Sequence, residues 1–228
     1  MNQQSSHSIL QVERAASDLR RGHTVIMSCM GRKIAVTAGE YNQAGAVVTD
    51  SSHPAVKLMK IAGLLPQAII EDVSSVYEGD AFVVTDEEIA RYPAALATSL
   101  QKVSKASVPL KNVGNTRIIA FRPRFGHQEH LAIMVGEPEK QDAPYVRLHS
   151  SCITGDVLGS LRCDCGNQLQ KALAIISEHK HGAILYLNQE GRGISIANKL
   201  RAYELQDKVN TERCMLPKRK KCFFRTIT

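Results

Sequence analysis

The chain has 228 residues, 43% hydrophobic and 22% charged, with a formal net charge of +7. That is enough for one large domain or two modest ones with a buried core. The opening MNQQSSHSILQVERAASDLRRG lacks an apolar run of ~7–15 residues and no stretch nears ~18, so neither a leader nor a membrane span is expected and the cytoplasm is. The charge is concentrated at the end. Lys208, Arg213, Lys218, Arg219, Lys220, Lys221 and Arg225 face Glu212 alone, and the body of the chain is close to neutral. PKRKK (217–221) attracts phosphates in a salt-dependent way. No aromatic-interleaved surface accompanies it, so a solvated tail is expected rather than a nucleic-acid interface.

The elements read as mixed α/β. SILQVERAASDLRRG places Ile9, Val12, Ala16 and Leu19 on one helical face and ends at Gly22. HTVIMSC, KIAVTAG and GAVVTD follow as strands separated by turn residues. DAFVVTD is a further strand, with Thr85 and Asp86 capping a short helix EEIARYP. His7, His23, His53 and Cys29 are isolated, so ordinary core or surface roles are expected. The polar segment 98–112, TSLQKVSKASVPLKN, marks a boundary, which divides the chain into an α/β domain at 1–103, a second domain at 104–207 and a basic tail at 208–228. In the second domain NTRIIAFRPR and EHLAIMVGEP are strands, and YVRLHSS is a strand running into Cys152. NQLQKALAIISEH is an amphipathic helix, GAILYLN a strand, and SIANKLRAYELQD a helix aligning Ile196, Leu200 and Tyr203.

Cysteines stand at 29, 152, 163, 165, 214 and 222. Three of them fall within SSCITGDVLGSLRCDCGNQLQ, which suits neither a closed disulfide set nor a four-cysteine structural site. In a reducing compartment clustered thiols point to metal or catalysis. A catalytic zinc takes three protein ligands and leaves a fourth position open to water. Cys163 and Cys165 are close enough to share an ion, Gly155 and Gly159 let the loop return Cys152 to it, and Arg162 is placed to offset thiolate charge. The alternatives are a structural site completed by His149 or another cysteine, and plain buried thiols. Cys214 and Cys222 have no such surroundings and read as incidental.

NQEGRG (188–193) lies between a strand and a helix. Gly191 and Gly193 permit a tight turn, N–H groups at a helix start suit phosphate, Arg192 adds a bidentate donor, and Glu190 can accept two donors from a guanine-like edge. Arg147 and His149 alternate along one strand and share a face.

VRLHSSCITGDVLGSLRCDCGNQLQ and YLNQEGRGISIANKLRAYELQD closely resemble GTP cyclohydrolase II of riboflavin biosynthesis, from about Ser107 to Asp207. The resemblance implies a homodimeric zinc enzyme that opens the imidazole ring of GTP and releases formate and pyrophosphate, with magnesium on the triphosphate. It implies Cys152, Cys163 and Cys165 as zinc ligands. Arg147, Leu148, His149, Ser150, Gln168, Glu190, Gly191 and Arg192 become GTP contacts, and Tyr203 an active-site residue. Ser151 stands where the family usually has Glu, and Asn188 where Arg is usual. After Asp207 the family continues through a further segment with a catalytic Asp and Arg, to which KVNTERCMLPKRKKCFFRTIT bears no likeness. A truncated or frame-shifted product is therefore expected, with impaired pyrophosphate release, an exposed apolar face and, as the alternative function, zinc and nucleotide binding without turnover. RAASDLRRGHTVIM and TAGE faintly resemble the start of a dihydroxybutanone phosphate synthase domain. Its acidic metal-binding stretch has no counterpart, since SCMGRKIA lacks a carboxylate, so a scaffold or dimerisation role is expected for that region.

Overall fold

A computed structural model describes residues 3–41, 45–73, 82–126 and 128–210. Among these described residues there are two five-stranded sheets, one from each half. The first unit comprises α1 (Gln3–Arg20), β1 (Val25–Cys29), β2 (Arg32–Ala38), β3 (Ala46–Val48), α2 (Pro54–Ala62), β4 (Ala68–Asp72), β5 (Val83–Thr85) and α3 (Asp86–Thr98). Its sheet order is β3-β4-β2-β1-β5; β1 pairs with β5 in parallel and the other pairs are antiparallel. The helical face expected in α1 is the buried one: Ile9, Val12, Ala16 and Leu19 are all at most 2% exposed. It packs against α2 and α3.

Two elements here escape the periodicity reading. α2 is short, and its signals are caps rather than a long apolar stripe. His53 Nδ1 accepts from the Ala55 N–H, Pro54 sits in the first turn, and Gly63 closes the helix in the left-handed region at φ 70°. β4 is the second. In α3 the expected cap forms as a full capping box, with Thr85 Oγ1 accepting from Glu88 N–H and Glu88 Oε2 accepting from Thr85 N–H. Asp86 is the first helical residue rather than a cap. The helix does not stop at Pro93 but continues to Thr98. A proline removes one hydrogen bond, and burial of Ile89 and Tyr92 offsets that loss.

The segment expected as a boundary is a strand, β6 (Leu100–Ser107), so the change of sheet falls between Ser99 and Leu100. β7 (Thr116–Pro123), β8 (His130–Val135), β9 (Tyr145–Ser150), α4 (Cys165–Glu178), β10 (Gly182–Leu187) and α5 (Ser195–Asn210) complete the second unit. Its sheet order is β6-β7-β8-β10-β9. β9 and β10 are parallel, joined across α4, and their register sets Ser150 beside Leu187. A parallel pair needs such a crossover, and it brings the carboxyl ends of both strands together. Val135, Leu173, Ile176 and Ile184 form a small core between sheet and helix. The apolar alignment expected in α5 is not buried: Leu200 is 51% exposed, and the buried residue of that helix is Asn198. Residues 211–228, with Cys214, Cys222 and PKRKK, lie outside the described residues.

Candidate metal and nucleotide site

Cys152 lies two residues past the end of β9, and a single π-turn (Ile153–Val157) carries the chain away before it returns to Cys163 and to Cys165 at the start of α4. The three Sγ atoms lie within 4.8 Å of one another, with Cys152 and Cys163 3.6 Å apart. Zinc–sulfur bonds of ~2.3 Å in a tetrahedron set sulfurs ~3.8 Å apart, so the donor set fits one such ion. Two glycines make the closure possible. A Cβ on Gly155 would stand 2.9 Å from Cys163 Sγ and from Cys165 Cβ, and one on Gly166 would stand 2.2 Å from the Gly155 carbonyl oxygen. Among the described residues no histidine or carboxylate joins the cluster.

His149 is not a fourth ligand. Buried at 3% exposure, it directs Nε2 at both oxygens of Asp156, at 3.1 Å. Asp156 also accepts from the Cys152 N–H at 3.0 Å and from the Tyr186 hydroxyl at 2.9 Å. This carboxylate thus fixes the backbone of one ligand and the ring of His149 together. Burial and the Asp156 charge push the Tyr186 phenol up to about 12.

Arg162 does not neutralise the thiolates. Its guanidinium reaches α5, donating to the Tyr203 carbonyl oxygen and to Asp207, and lies over the Tyr203 ring. The cation at the cluster is Lys199, whose Nζ lies 2.9 Å from Cys152 Sγ and 2.9 Å from Glu190 Oε1. Burial works against a Cys152 thiolate. Hydrogen bonds from Lys199, Thr154 and the Gly155 N–H outweigh it and bring the thiol down to about 7. Burial and the neighbouring Cys152 and Cys163 sulfurs push Cys165 the other way, to about 12.

The glycine turn closes over this cluster. Ser151 N–H donates to the Leu187 carbonyl, and Gln189 donates from its backbone to Ser151 Oγ and from its side chain to Ser150 Oγ. Gly191, Arg192, Gly193 and Ser195 all have positive φ. The chain therefore coils left-handed before α5 begins, leaving Arg192 exposed. Glu190 is already engaged: Oε2 accepts from the Ile153 N–H at 2.8 Å and Oε1 from Lys199. Asn188 uses its backbone N–H on His130 Nδ1.

Arg147 and Gln168 are joined by a hydrogen bond from Nη2 to Oε1 at 2.7 Å, while Arg147 Nε is buried without a partner. Leu148 projects from the opposite face of β9 and is 59% exposed. Tyr203 meets Arg162 through its carbonyl oxygen and its ring. Sequence reasoning missed Asp156, Tyr186, Thr154 and Lys199. Their signals lie inside the quoted motifs, in TGD, YLN and NK, but spacing does not say which side chains meet.

Fold and site define a two-unit α/β chain with a three-cysteine cluster fit for a metal ion. The family model of GTP cyclohydrolase II matches residues 101–223, more than half of the chain. The chain belongs to the GTP cyclohydrolase II family. It is 47% identical over 162 residues to a GTP cyclohydrolase-2 of Azospirillum brasilense, covering 68% of this chain and 42% of that protein. A Riboflavin biosynthesis protein RibBA of Endomicrobium trichonymphae is 33% identical over 180 residues, covering 72% of this chain and 44% of its own length. The chain thus spans less than half the length of these curated relatives. A solved structure of RibBX, a two-domain 3,4-dihydroxy-2-butanone 4-phosphate synthase from A. baumannii, aligns over 88% of this chain and 90% of that one. The identity is 13% and the TM-score 0.33, too loose a superposition to build on. No helix among the described residues is long and apolar enough to cross a membrane.

Proposed function

We propose that the chain acts as a zinc-dependent GTP cyclohydrolase II, hydrolysing GTP to a diamino-pyrimidinone ribosyl phosphate with release of formate and pyrophosphate. One observation carries the reading: three sulfurs sized for one ion, packed on two glycines at the joined ends of β9 and β10. Cys152, Cys163 and Cys165 would hold zinc, which when bound supplies a Lewis acid with one open position. Magnesium would accompany the triphosphate.

The chain's own residues then bind and orient the nucleotide. Arg192, on an exposed left-handed turn, suits a phosphate. Arg147, held by Gln168 with Nε left over, suits an anionic or carbonyl oxygen of the substrate. His149 and Ser150 line the strand that enters the site, and Leu148 and Gly191 contribute backbone. Tyr203 orients or protonates the purine nitrogen that departs from C8. A homodimer and a cytoplasmic location belong to the same reading. Exposed Val146, Leu148, Val157, Leu158 and Leu161 support the first, and free thiols suit the second.

The engagement of both Glu190 oxygens favours a second reading, zinc and nucleotide binding without turnover. Formate release from GTP by zinc-loaded chain with magnesium separates the two. Formate that vanishes in Cys163→Ala supports the enzyme. No formate from a chain holding one zinc overturns it in favour of the second reading.

A further inference from the structure

The first unit carries no three-residue ligand cluster among its described residues, yet it reaches the site. Glu40 follows β2, where its side chain is only 6% exposed. Its Oε1 accepts from the Leu65 N–H at 3.2 Å and from Asn198 Nδ2 at 3.4 Å, and its Oε2 accepts from Arg201 Nη1 at 2.7 Å. Asn198 is 3% exposed and completes the cluster, donating to the Ile194 carbonyl at 3.0 Å and accepting from Arg201 at 2.8 Å. Lys199, between these two residues on α5, points instead to Cys152 and Glu190. The first turns of α5 are thus gripped on one side by the first unit and on the other by the cysteine cluster.

A second contact lies beside it. A Cβ on Gly63, the left-handed cap of α2, would stand 3.5 Å from the Gly193 carbonyl oxygen, so α2 abuts the glycine turn. Farther along this seam the units part over a cavity of about 640 Å³, lined by Ile61, Tyr92 and Leu96 on one side and by Pro123, His130 and Gln189 on the other. Beside this open space under Gln189, the Glu40 contacts are the polar link from the first unit to the start of α5 among the described residues.

We infer that Glu40 is a positioning residue for the cysteine site: through Asn198 and Arg201 it holds α5 so that Lys199 meets Cys152 and Glu190, making the first unit a brace for metal binding in the second. The inference rests on the metal-site reading above. A buried carboxylate that loses its cation is left uncompensated, and a cation put in the carboxylate's place repels its former partner instead of joining it. The coupling expected between two such sites is about tenfold in affinity.

The test uses the full chain and Zn²⁺ alone, with affinity from chelator competition and amide hydrogen exchange followed along 195–208. Glu40→Arg should lower Zn²⁺ affinity about tenfold and speed exchange in α5. Arg201→Glu in the same chain should partly restore both, because the ion pair is rebuilt with its signs reversed, although an arginine at position 40 cannot accept from the Leu65 N–H. Wild-type affinity and exchange in folded Glu40→Arg would overturn the inference, and so would a double variant no better than the single. If Glu40→Arg does not fold, Glu40→Gln keeps the shape and removes the charge; it should show the same changes at smaller size, and unchanged values overturn the proposal. If wild-type chain and Cys163→Ala bind Zn²⁺ alike, the metal-site reading itself fails, while exchange in α5 still reports whether Glu40 holds the helix.

Discussion

In the first unit α1, α2 and α3 pack together and leave Val12, Leu19, Val56, Leu58 and Met59 with no exposed surface at all. In the second, Ile184 is the comparably buried residue, β6 is exposed along its length, and Leu148, Val157, Leu158 and Leu161 face outward. Beside its small apolar core the second unit also buries Cys152, His149, the Asp156 carboxylate and Asn198. Burying polar groups is costly unless each is paired, and nearly all of these are. The contrast separates two sources of order. Apolar area dominates the first unit; the second adds to a smaller apolar core a set of buried hydrogen bonds and a site fit for a metal.

The comparison breaks most visibly at the ligands. Cys163→Ala should abolish stoichiometric zinc binding, measured by metal content after dialysis, while circular dichroism of the first unit's helices is retained. A smaller but still large effect belongs to the core. Leu58→Ala should cost about 2–5 kcal/mol in urea unfolding, a loss that added zinc does not offset if the units unfold separately. Ile184→Ala, by contrast, should be partly rescued by zinc, because a ligand bound to the native state stabilises what it binds. Equal rescue of both would show one cooperative molecule rather than two differently held units. Gly155→Ala comes next, since the new methyl must displace sulfur. Overpacking of this kind costs about 1–3 kcal/mol, to be read as a fall in metal affinity with little change in the first unit.

A pH series sharpens the same contrast without metal. Burial opposes the Cys152 thiolate, but Lys199, Thr154 and the Gly155 N–H together lower the thiol from 9.0 to about 7. An acid depressed on folding contributes stability that is complete above its unfolded value and lost as pH falls through its folded one. The metal-free chain should therefore lose stability between about pH 9 and 7. Lys199→Met should flatten that slope, as measured by urea unfolding at each pH. The smallest effect is Thr85→Ala, which removes the capping box of α3 for about 1 kcal/mol and should leave zinc affinity unchanged.

Much of this was legible in order along the chain. The helical period of Ile9, Val12, Ala16 and Leu19, the alternation of Arg147 and His149 in β9, and the thiol spacing at 152, 163 and 165 are local patterns, and local geometry carried them into the fold. Short α2 was hidden because its evidence lay in His53, Pro54 and Gly63 rather than in a stripe. α3 ran through Pro93 because packing outweighed one lost hydrogen bond. α5 misled for the opposite reason: Leu200 has the right spacing for a core residue, but the neighbouring unit offers Glu40, so the buried position went to Asn198.

By itself the sequence determined the mixed α/β class, the three-cysteine set and the glycine turn, since each depends on residues near one another in the chain. Only the tertiary structure decided which charge meets the thiolates. Lys199 displaced Arg162 in that role because parallel pairing of β9 and β10 brings the start of α5 over Cys152, while Arg162 reaches Asp207 at the helix's far end. Partners that distant in sequence are chosen by the path of the backbone, which no spacing of residues records.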